Sequence, residues 1–214
     1  MKKKNNNKNK SKILVIVAIA VVVVGIISTV LLLSQENNKG DMSGAGAQQF
    51  AQEYTTVSDD NVFTYRNIDE IIRIMQHGTG VVYLGFPECP WCQAYVKHLN
   101  EVAKEVGITN IYYFNISDDR ANNTDKYQKV IALLDGNLQN DNEGNPRIYV
   151  PNVSFHIEGK LIGNDYETSK DTLGHSSPDD YWTVERTDNL KKILKDNMQQ
   201  IIDAGGECET TCDV

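Results

Sequence analysis

Two cysteines separated by two residues are the strongest chemical signal in the chain. The Cys-Pro-Trp-Cys unit from Cys89 to Cys92 lies between an apolar run over residues 81–84 and an amphipathic pattern over residues 92–106. A redox dithiol needs one thiolate near neutral pH, and the unpaired amide groups and partial positive charge of a helix N-terminus favour that charge. The pattern therefore indicates a redox dithiol at a helix start. A static disulfide is the alternative, but such a small loop adds little stability.

The helix that follows the dithiol separates the environments of the two thiols. Pro90 fits the first helical position, where its missing N–H costs nothing. Cys89 is expected at the exposed helix tip, whereas Cys92 lies on the apolar, core-facing stripe. An attacking and a resolving cysteine need this arrangement. The stripe consists of Tyr95, Val96, Leu99, Val102, Ala103 and Val106.

A long apolar run near the N-terminus predicts a membrane anchor. Residues 1–12 carry six lysines, and residues 13–33 carry no charge. A run of this length spans a bilayer, and the lysines before it predict a cytoplasmic tail over residues 1–12. We therefore expect a single transmembrane signal anchor over residues 13–33, with the rest of the chain extracellular at the cell membrane. A cleaved signal peptide is the alternative, with a weak site at Ala45-Gly46-Ala47.

The part of the chain beyond the predicted anchor is strongly acidic. It holds all 29 acidic residues and 15 basic ones, a net charge of about −14. This balance disfavours nucleic acid and anionic lipid as partners. Residues 34–60 are polar and lack a sustained apolar pattern, so we interpret them as a stalk. The folded domain, including a cysteine-containing tail, is predicted over residues 61–214.

Strand and helix patterns alternate along this domain. The alternation predicts an α/β fold with a mixed central sheet and helices on both faces. Glu158-Gly159 is a hairpin signal between the last two strands. Strands are predicted over residues 62–65, 81–84, 111–115, 153–157 and 160–162, and helices over residues 67–76, 92–106, 127–134 and 187–203.

Two segments of the domain resemble the thioredoxin-like superfamily. The first is Phe-Pro-Glu-Cys-Pro-Trp-Cys over residues 86–92, after a buried strand, and the second is Arg-Ile-Tyr-Val-Pro over residues 147–151, before the hairpin. The resemblance implies a thioredoxin-like fold and a cis bond between Val150 and Pro151, packed against the cysteine pair. It also implies that substrate lies beside the backbone before the proline. No cofactor is implied other than the redox-active disulfide.

Three departures from that family affect the mechanism. Glu88 replaces a tryptophan that usually precedes the first cysteine, and its carboxylate disfavours the thiolate. Tyr83 lies at or near the position of a buried acid, so proton transfer to Cys92 needs another group or water. Insertions are expected over residues 115–125, 136–145 and 164–182, where polar loops could frame a substrate groove.

The resemblance implies a membrane-tethered, extracytoplasmic thiol–disulfide oxidoreductase that exchanges disulfides with exported proteins. Cys89 and Cys92 would be catalytic. The layout is similar to that of membrane-tethered thioredoxin-like proteins of Gram-positive bacteria, including those that accompany bacteriocin export. A membrane redox partner is implied without being identified, and the direction of electron flow stays open. The residues implied in substrate binding are Pro90, Trp91, Val150 and Pro151.

A non-catalytic binding module is the competing interpretation. It would be a thioredoxin-like domain or a copper chaperone, because soft thiolates suit Cu(I). A Cys92→Ser variant discriminates, since only the oxidoreductase accumulates mixed disulfides.

A second cysteine pair, Cys208 and Cys212, follows Gly205-Gly206 near the C-terminus. A local disulfide, free or intermolecular thiols, and an electron relay with the first pair all remain open. No metal site is expected, because the spacing between the pairs fits no zinc module. The four histidines are scattered and are expected at the surface or in the hairpin.

Overall fold

The computed structural model describes residues 42–171 and 173–209. The predicted tail over residues 1–12, the predicted anchor over residues 13–33 and Cys212 lie outside the described residues. Within the described part, no helix combines the length and the apolar character needed to cross a membrane.

A mixed sheet lies at the centre of the structure. It contains β1 (Phe63–Tyr65), β2 (Gly80–Gly85), β3 (Ile111–Asn115), β6 (Asn152–Ile157) and β7 (Lys160–Asp165), in the order β1-β3-β2-β6-β7. The first three strands run parallel, which requires helical crossovers between them, and β6 and β7 run antiparallel as a hairpin. Two short strands, β4 (Gln139–Asn140) and β5 (Pro146–Arg147), pair separately.

Helices cover both faces of the sheet. They are α1 (Met42–Glu53), α2 (Ile68–His77), α3 (Pro90–Val106), α4 (Ser117–Ala121), α5 (Asp125–Leu133), α6 (Pro178–Tyr181) and α7 (Val184–Asp203). Because side chains alternate along a strand, Val81 and Tyr83 join an apolar cluster with α3 and α7, whereas Val82 and Leu84 join one with α2 and α5. The predicted α/β class with a mixed central sheet is confirmed.

The predicted stalk is wrong over much of its length. The compact unit that contains the sheet begins at Gly46 instead of residue 61. Phe50 of helix α1 and Tyr54, which follows the helix directly, are fully buried, and the Phe50 ring stacks on Phe63 at a centroid distance of 3.9 Å. Ala47, Phe50 and Tyr54 form a short stripe at helical spacing, and the burial of two aromatic rings outweighs the polar composition around them.

Two of the predicted insertions fold into elements of the domain. Residues 115–125 contain α4, and β7 continues into residues 164–182 as far as Asp165. The remainder of that second segment forms a 3₁₀ turn and α6, and it packs Trp182 against Tyr95 of α3 at a centroid distance of 6.2 Å. Aromatic burial thus fixes a segment whose average composition is that of a loop.

His156 lies in the hairpin, in strand β6, which is one of the two expected locations for the histidines, but its side chain is not exposed. His156 is fully buried, and its Nε2 atom lies 2.9 Å from the Ser154 hydroxyl oxygen. Burial lowers the pKa of His156 to about 4. The folded state therefore stays unprotonated at His156 between about pH 6.5 and about pH 4, where the unfolded chain binds a proton.

This difference predicts acid destabilisation. Stability is highest above pH 6.5 and falls as the pH drops towards 4, by up to about 3 kcal/mol from this group. Urea unfolding across this range should show that loss in the wild-type chain and a shallower pH dependence in His156→Gln. Comparison with the variant cancels the contributions of other titrating groups. Parallel pH profiles for the two proteins would contradict the prediction.

Candidate active site

The two cysteines lie where β2 ends and α3 begins. Cys89 is the N-cap of α3, and Pro90 occupies the first helical position. The Cys92 backbone N–H donates a hydrogen bond to the Cys89 sulfur at 3.3 Å. The Cys89 side chain therefore caps the helix, because its sulfur accepts a hydrogen bond from an N–H group that has no partner within the helix.

The two thiols differ in their exposure to solvent, although by less than the sequence predicts. Cys92 is fully buried and Cys89 is 8% exposed, and both are free thiols. The exposed helix tip expected for Cys89 is wrong, because Phe86, Trp91 and Val150 pack around the apolar cluster that contains it. Cys89 remains the only one of the two with a path to solvent.

The ionisation of the two thiols is strongly asymmetric. The pKa of Cys89 is lowered to about 7, chiefly by the hydrogen bond with the Cys92 side chain, against the opposing effect of burial. Backbone N–H groups of the first helical turn and the Arg120 guanidinium add to the lowering. Burial raises the pKa of Cys92, and the negative charge of Cys89 raises it further. The first thiolate therefore forms at Cys89.

Alkylation kinetics test this asymmetry directly. The rate of Cys89 modification by iodoacetamide should rise with pH and reach half its maximum near pH 7, because only the thiolate reacts. Arg120→Gln should move that midpoint to higher pH by removing a positive charge. Lys160→Gln, at an exposed hairpin position, is the matched control and should leave the midpoint unchanged. A wild-type midpoint near the free-cysteine value of about 8.5 contradicts the assignment.

The predicted proline loop lies at the same edge of the sheet as the cysteines. Leu84 pairs with Asn152 across β2 and β6, so Pro151 lies just beyond the end of β2. The Val150–Pro151 peptide bond is cis, which is the geometry expected from the sequence. Val150 packs against the apolar clusters on both faces of the sheet. These residues and the dithiol therefore border one surface.

Trp91 projects from the first turn of α3 towards the segment that precedes α7. Its ring contacts Tyr181 edge to face at a centroid distance of 5.6 Å. The Tyr181 hydroxyl in turn donates a hydrogen bond to the Glu167 carbonyl oxygen at 2.9 Å. One wall of the site is thus built by residues 164–182, the segment that the sequence places in an insertion.

A group of buried tyrosines lies beneath Cys92. The Tyr83 hydroxyl is buried and makes no hydrogen bond in the described structure, while the Tyr54 hydroxyl donates one to Tyr113 at 3.2 Å. Burial raises the pKa of Tyr83 well above its usual value, and a negative charge on Cys92 raises it further. Tyr83 therefore stays protonated, so its hydroxyl can donate a hydrogen bond to a Cys92 thiolate but cannot take the Cys92 proton as a base.

Two ionisable residues near this edge were not identified from the sequence. Asp165 lies opposite Val153, which in turn lies opposite Tyr83, and it accepts a hydrogen bond of 2.5 Å from the Tyr95 hydroxyl. Burial raises the pKa of Asp165. Arg120 lies in α4, with its guanidinium carbon 4.9 Å from the centre of the Phe86 ring. The sequence offered no signal for either residue, because contacts with distant parts of the chain place them both.

Cys208, the first cysteine of the C-terminal pair, is remote from this site. Thr79 and Cys208 exchange two backbone hydrogen bonds of 2.8 Å at the start of β2, the edge opposite Cys89. The length of β2 separates the two edges by about 20 Å. Cys208 is disulfide-bonded, and because Cys89 and Cys92 are free thiols, that bond involves neither of them. This placement contradicts a direct relay between Cys208 and the dithiol.

Metal binding would rest on the two thiols. In the described ranges, no group of three or more His, Cys, Asp or Glu side chains is arranged to hold a metal ion. No family model, no curated protein and no solved structure matches this chain.

Proposed function

We propose that the protein is a thiol–disulfide oxidoreductase that acts through Cys89 and Cys92. The observation that carries the proposal is the asymmetry of the pair: Cys89 caps a helix and reaches solvent, and Cys92 is fully buried one turn later. A nucleophilic thiol and a protected resolving thiol require this difference.

The surroundings of the pair support a thioredoxin-like assignment. A mixed central sheet with helices on both faces, a dithiol between β2 and α3, and a cis proline before β6 are the features that the sequence resemblance implies. Each feature alone is weaker support than the combination, in which the dithiol and the proline lie at the same edge of the sheet. Pro90, Trp91, Val150 and Pro151 would form the surface on which a substrate strand binds.

The proposed location is the outer face of the cell membrane. Lysines before the apolar run over residues 13–33 favour an N-terminus in the cytoplasm and an extracellular domain. Exported proteins would supply the substrate thiols and disulfides, and disulfides persist in that compartment. A thiol or disulfide group of a membrane protein would restore the starting state of the pair.

Disulfide reduction by the pair takes two exchange steps. The Cys89 thiolate attacks one sulfur of the substrate disulfide, a mixed disulfide forms, and the other substrate sulfur leaves as a thiolate that takes up a proton. Cys92 then attacks the Cys89 sulfur, the bond between Cys89 and the substrate breaks, and the proton of Cys92 passes to the substrate sulfur that leaves. The products are a Cys89–Cys92 disulfide and a substrate dithiol, with two electrons transferred to the substrate. Substrate oxidation is the reverse sequence.

The pKa of Cys89 bears on the direction of electron transfer between the pair and its substrate. Its pKa of about 7 is close to that of thioredoxin and well above the value of about 3.5 found in a strongly oxidising exported enzyme. A thiolate of moderate stability makes the disulfide form only moderately oxidising. The pair would therefore have an intermediate reduction potential.

Trapping of mixed disulfides tests the proposal in cells. Cys92→Ser should accumulate covalent complexes with exported proteins, which disappear on reduction and are absent from Cys89→Ser/Cys92→Ser. The second cysteine pair stays intact in both proteins, so it serves as an internal control. Tight Cu(I) binding by the wild-type chain without any trapped complex would instead favour the copper chaperone and contradict the proposal.

A further inference from the structure

Two arginines flank the candidate dithiol, one on each of the segments that form the site. The Arg120 guanidinium lies 4.9 Å from the centre of the Phe86 ring, and Phe86 accepts a backbone hydrogen bond from Cys89 at 3.2 Å. The Arg147 guanidinium lies 5.9 Å from the ring of Tyr149, next to the cis Val150–Pro151 bond. Each aromatic ring holds a cation beside the surface where a substrate would bind.

These two cations lie close enough to interact unfavourably. Burial lowers the pKa of Arg120, and the charge of Arg147 lowers it further. Within the described residues, neither guanidinium makes an ion pair or a side-chain hydrogen bond with a protein group. Arg66 and Arg73 differ, because both pair with Glu209 at the opposite edge of the sheet.

Arg120 stabilises the Cys89 thiolate. Arg147 adds to the lowering of the Asp141 pKa by the Asn145 backbone N–H, but the charges of both arginines act without a direct ion pair. A bound anion would offset the repulsion between the two arginines.

The charge of the rest of the domain makes this pair unusual. Beyond the predicted anchor the chain has 29 acidic and 15 basic residues. An acidic partner would be repelled by most of this surface and attracted at Arg120 and Arg147. The attraction would therefore orient such a partner with its charged segment at the dithiol.

We propose that the preferred substrates carry acidic side chains next to the reacting cysteine, bound by Arg120 and Arg147. This inference rests on the proposed function and names the substrate class of that same site. Planar guanidinium groups suit carboxylates, which accept two parallel hydrogen bonds from them. The substrate carboxylates would supply the direct ion pairs that neither guanidinium makes within the described residues.

Matched peptide disulfides test the inference with the reduced full-length protein. Three peptides differ only in the two residues flanking one cysteine, which are glutamates, glutamines or lysines. At low salt the glutamate peptide should be reduced about fivefold faster than the glutamine peptide, and the lysine peptide more slowly than both. Added salt should reduce the difference.

Two variants locate the effect. Arg147→Gln should bring the ratio of glutamate to glutamine rates close to one. Arg120 is still present in this variant and still lowers the pKa of Cys89. Lys160→Gln removes a charge at the opposite edge of the sheet and should keep the wild-type ratio. Equal rates for the glutamate and glutamine peptides in the wild-type protein overturn the substrate class and leave the oxidoreductase proposal intact. Failure to reduce any of the peptides overturns both.

Discussion

Replacement of Cys89 by serine is expected to lower the rate of disulfide exchange by at least about a thousandfold. The hydroxyl of serine is not ionised near neutral pH, whereas the Cys89 thiol has a pKa of about 7. The rate is measured with a small peptide disulfide by following the release of substrate thiol. The fold should be unaffected, because the substituted atom is small and lies at a helix N-cap, where serine is also favoured.

Two comparison variants distinguish roles among the cysteines. Cys92→Ser should still form the mixed disulfide in the first turnover and then stop, because the resolving thiol is missing. Cys208→Ser/Cys212→Ser should exchange disulfides at the wild-type rate, since Cys208 lies at the opposite edge of the sheet. Substantial exchange in Cys89→Ser, or its loss in the C-terminal variant, would contradict the assignment of roles.

The second large effect concerns the helix in the predicted stalk. Phe50→Ala is expected to reduce the free energy of unfolding by about 3–5 kcal/mol, because it removes a fully buried aromatic ring and leaves a cavity. The Phe50 ring stacks on Tyr54 at 4.3 Å as well as on Phe63, and it contacts Tyr113 edge to face at 5.1 Å. Urea unfolding of the variant and the wild-type chain measures the difference.

An exposed position on the same helix provides the control. Gln48→Ala should change the free energy of unfolding by less than about 0.5 kcal/mol, because it alters neither packing nor a cap. If Phe50→Ala is no more destabilising than Gln48→Ala, α1 does not belong to the folded domain and the predicted stalk stands.

Helix α1 is also linked, through hydrogen bonds of Gln93, to the residues on both sides of the dithiol. The Gln93 side-chain amide donates hydrogen bonds to the Glu53 carbonyl oxygen at 2.7 Å and the Pro87 carbonyl oxygen at 2.9 Å. Gln93 follows Cys92 directly, and Pro87 lies in the loop before Cys89. The C-terminal end of α1 therefore supports the loop that carries Cys89.

The parts of the site that sequence predicted are those with local signals. A helix begins at Pro90 and ends before Gly107 because proline at the first position and glycine after the last turn have direct conformational causes. The hairpin turn at Glu158 and Gly159 has positive φ at both residues, as short hairpins require. These features depend on neighbouring residues alone.

The parts that sequence missed depend on distant partners. Asp165 is buried because Tyr95, 70 positions earlier, donates a hydrogen bond to it. Arg120 reaches Phe86 only because β3 and α4 return the chain to the edge of the sheet that carries Cys89. Phe50 is a core residue because Phe63 and Tyr113 come from two different strands. Periodicity within a segment carries no information about such contacts, so burial and charge pairing there could not be predicted.

The redox equilibrium of Cys89 and Cys92 is the most direct test of the central claim. The full-length protein is equilibrated in glutathione buffers of known ratio, free thiols are alkylated, and the state of the pair is read by mass spectrometry. We predict a single two-electron transition with a midpoint between about −270 mV, the value of thioredoxin, and about −120 mV, that of a strong exported oxidant. A pair that never forms a disulfide under oxidising buffers, or that stays oxidised below about −300 mV, would contradict a role in thiol–disulfide exchange.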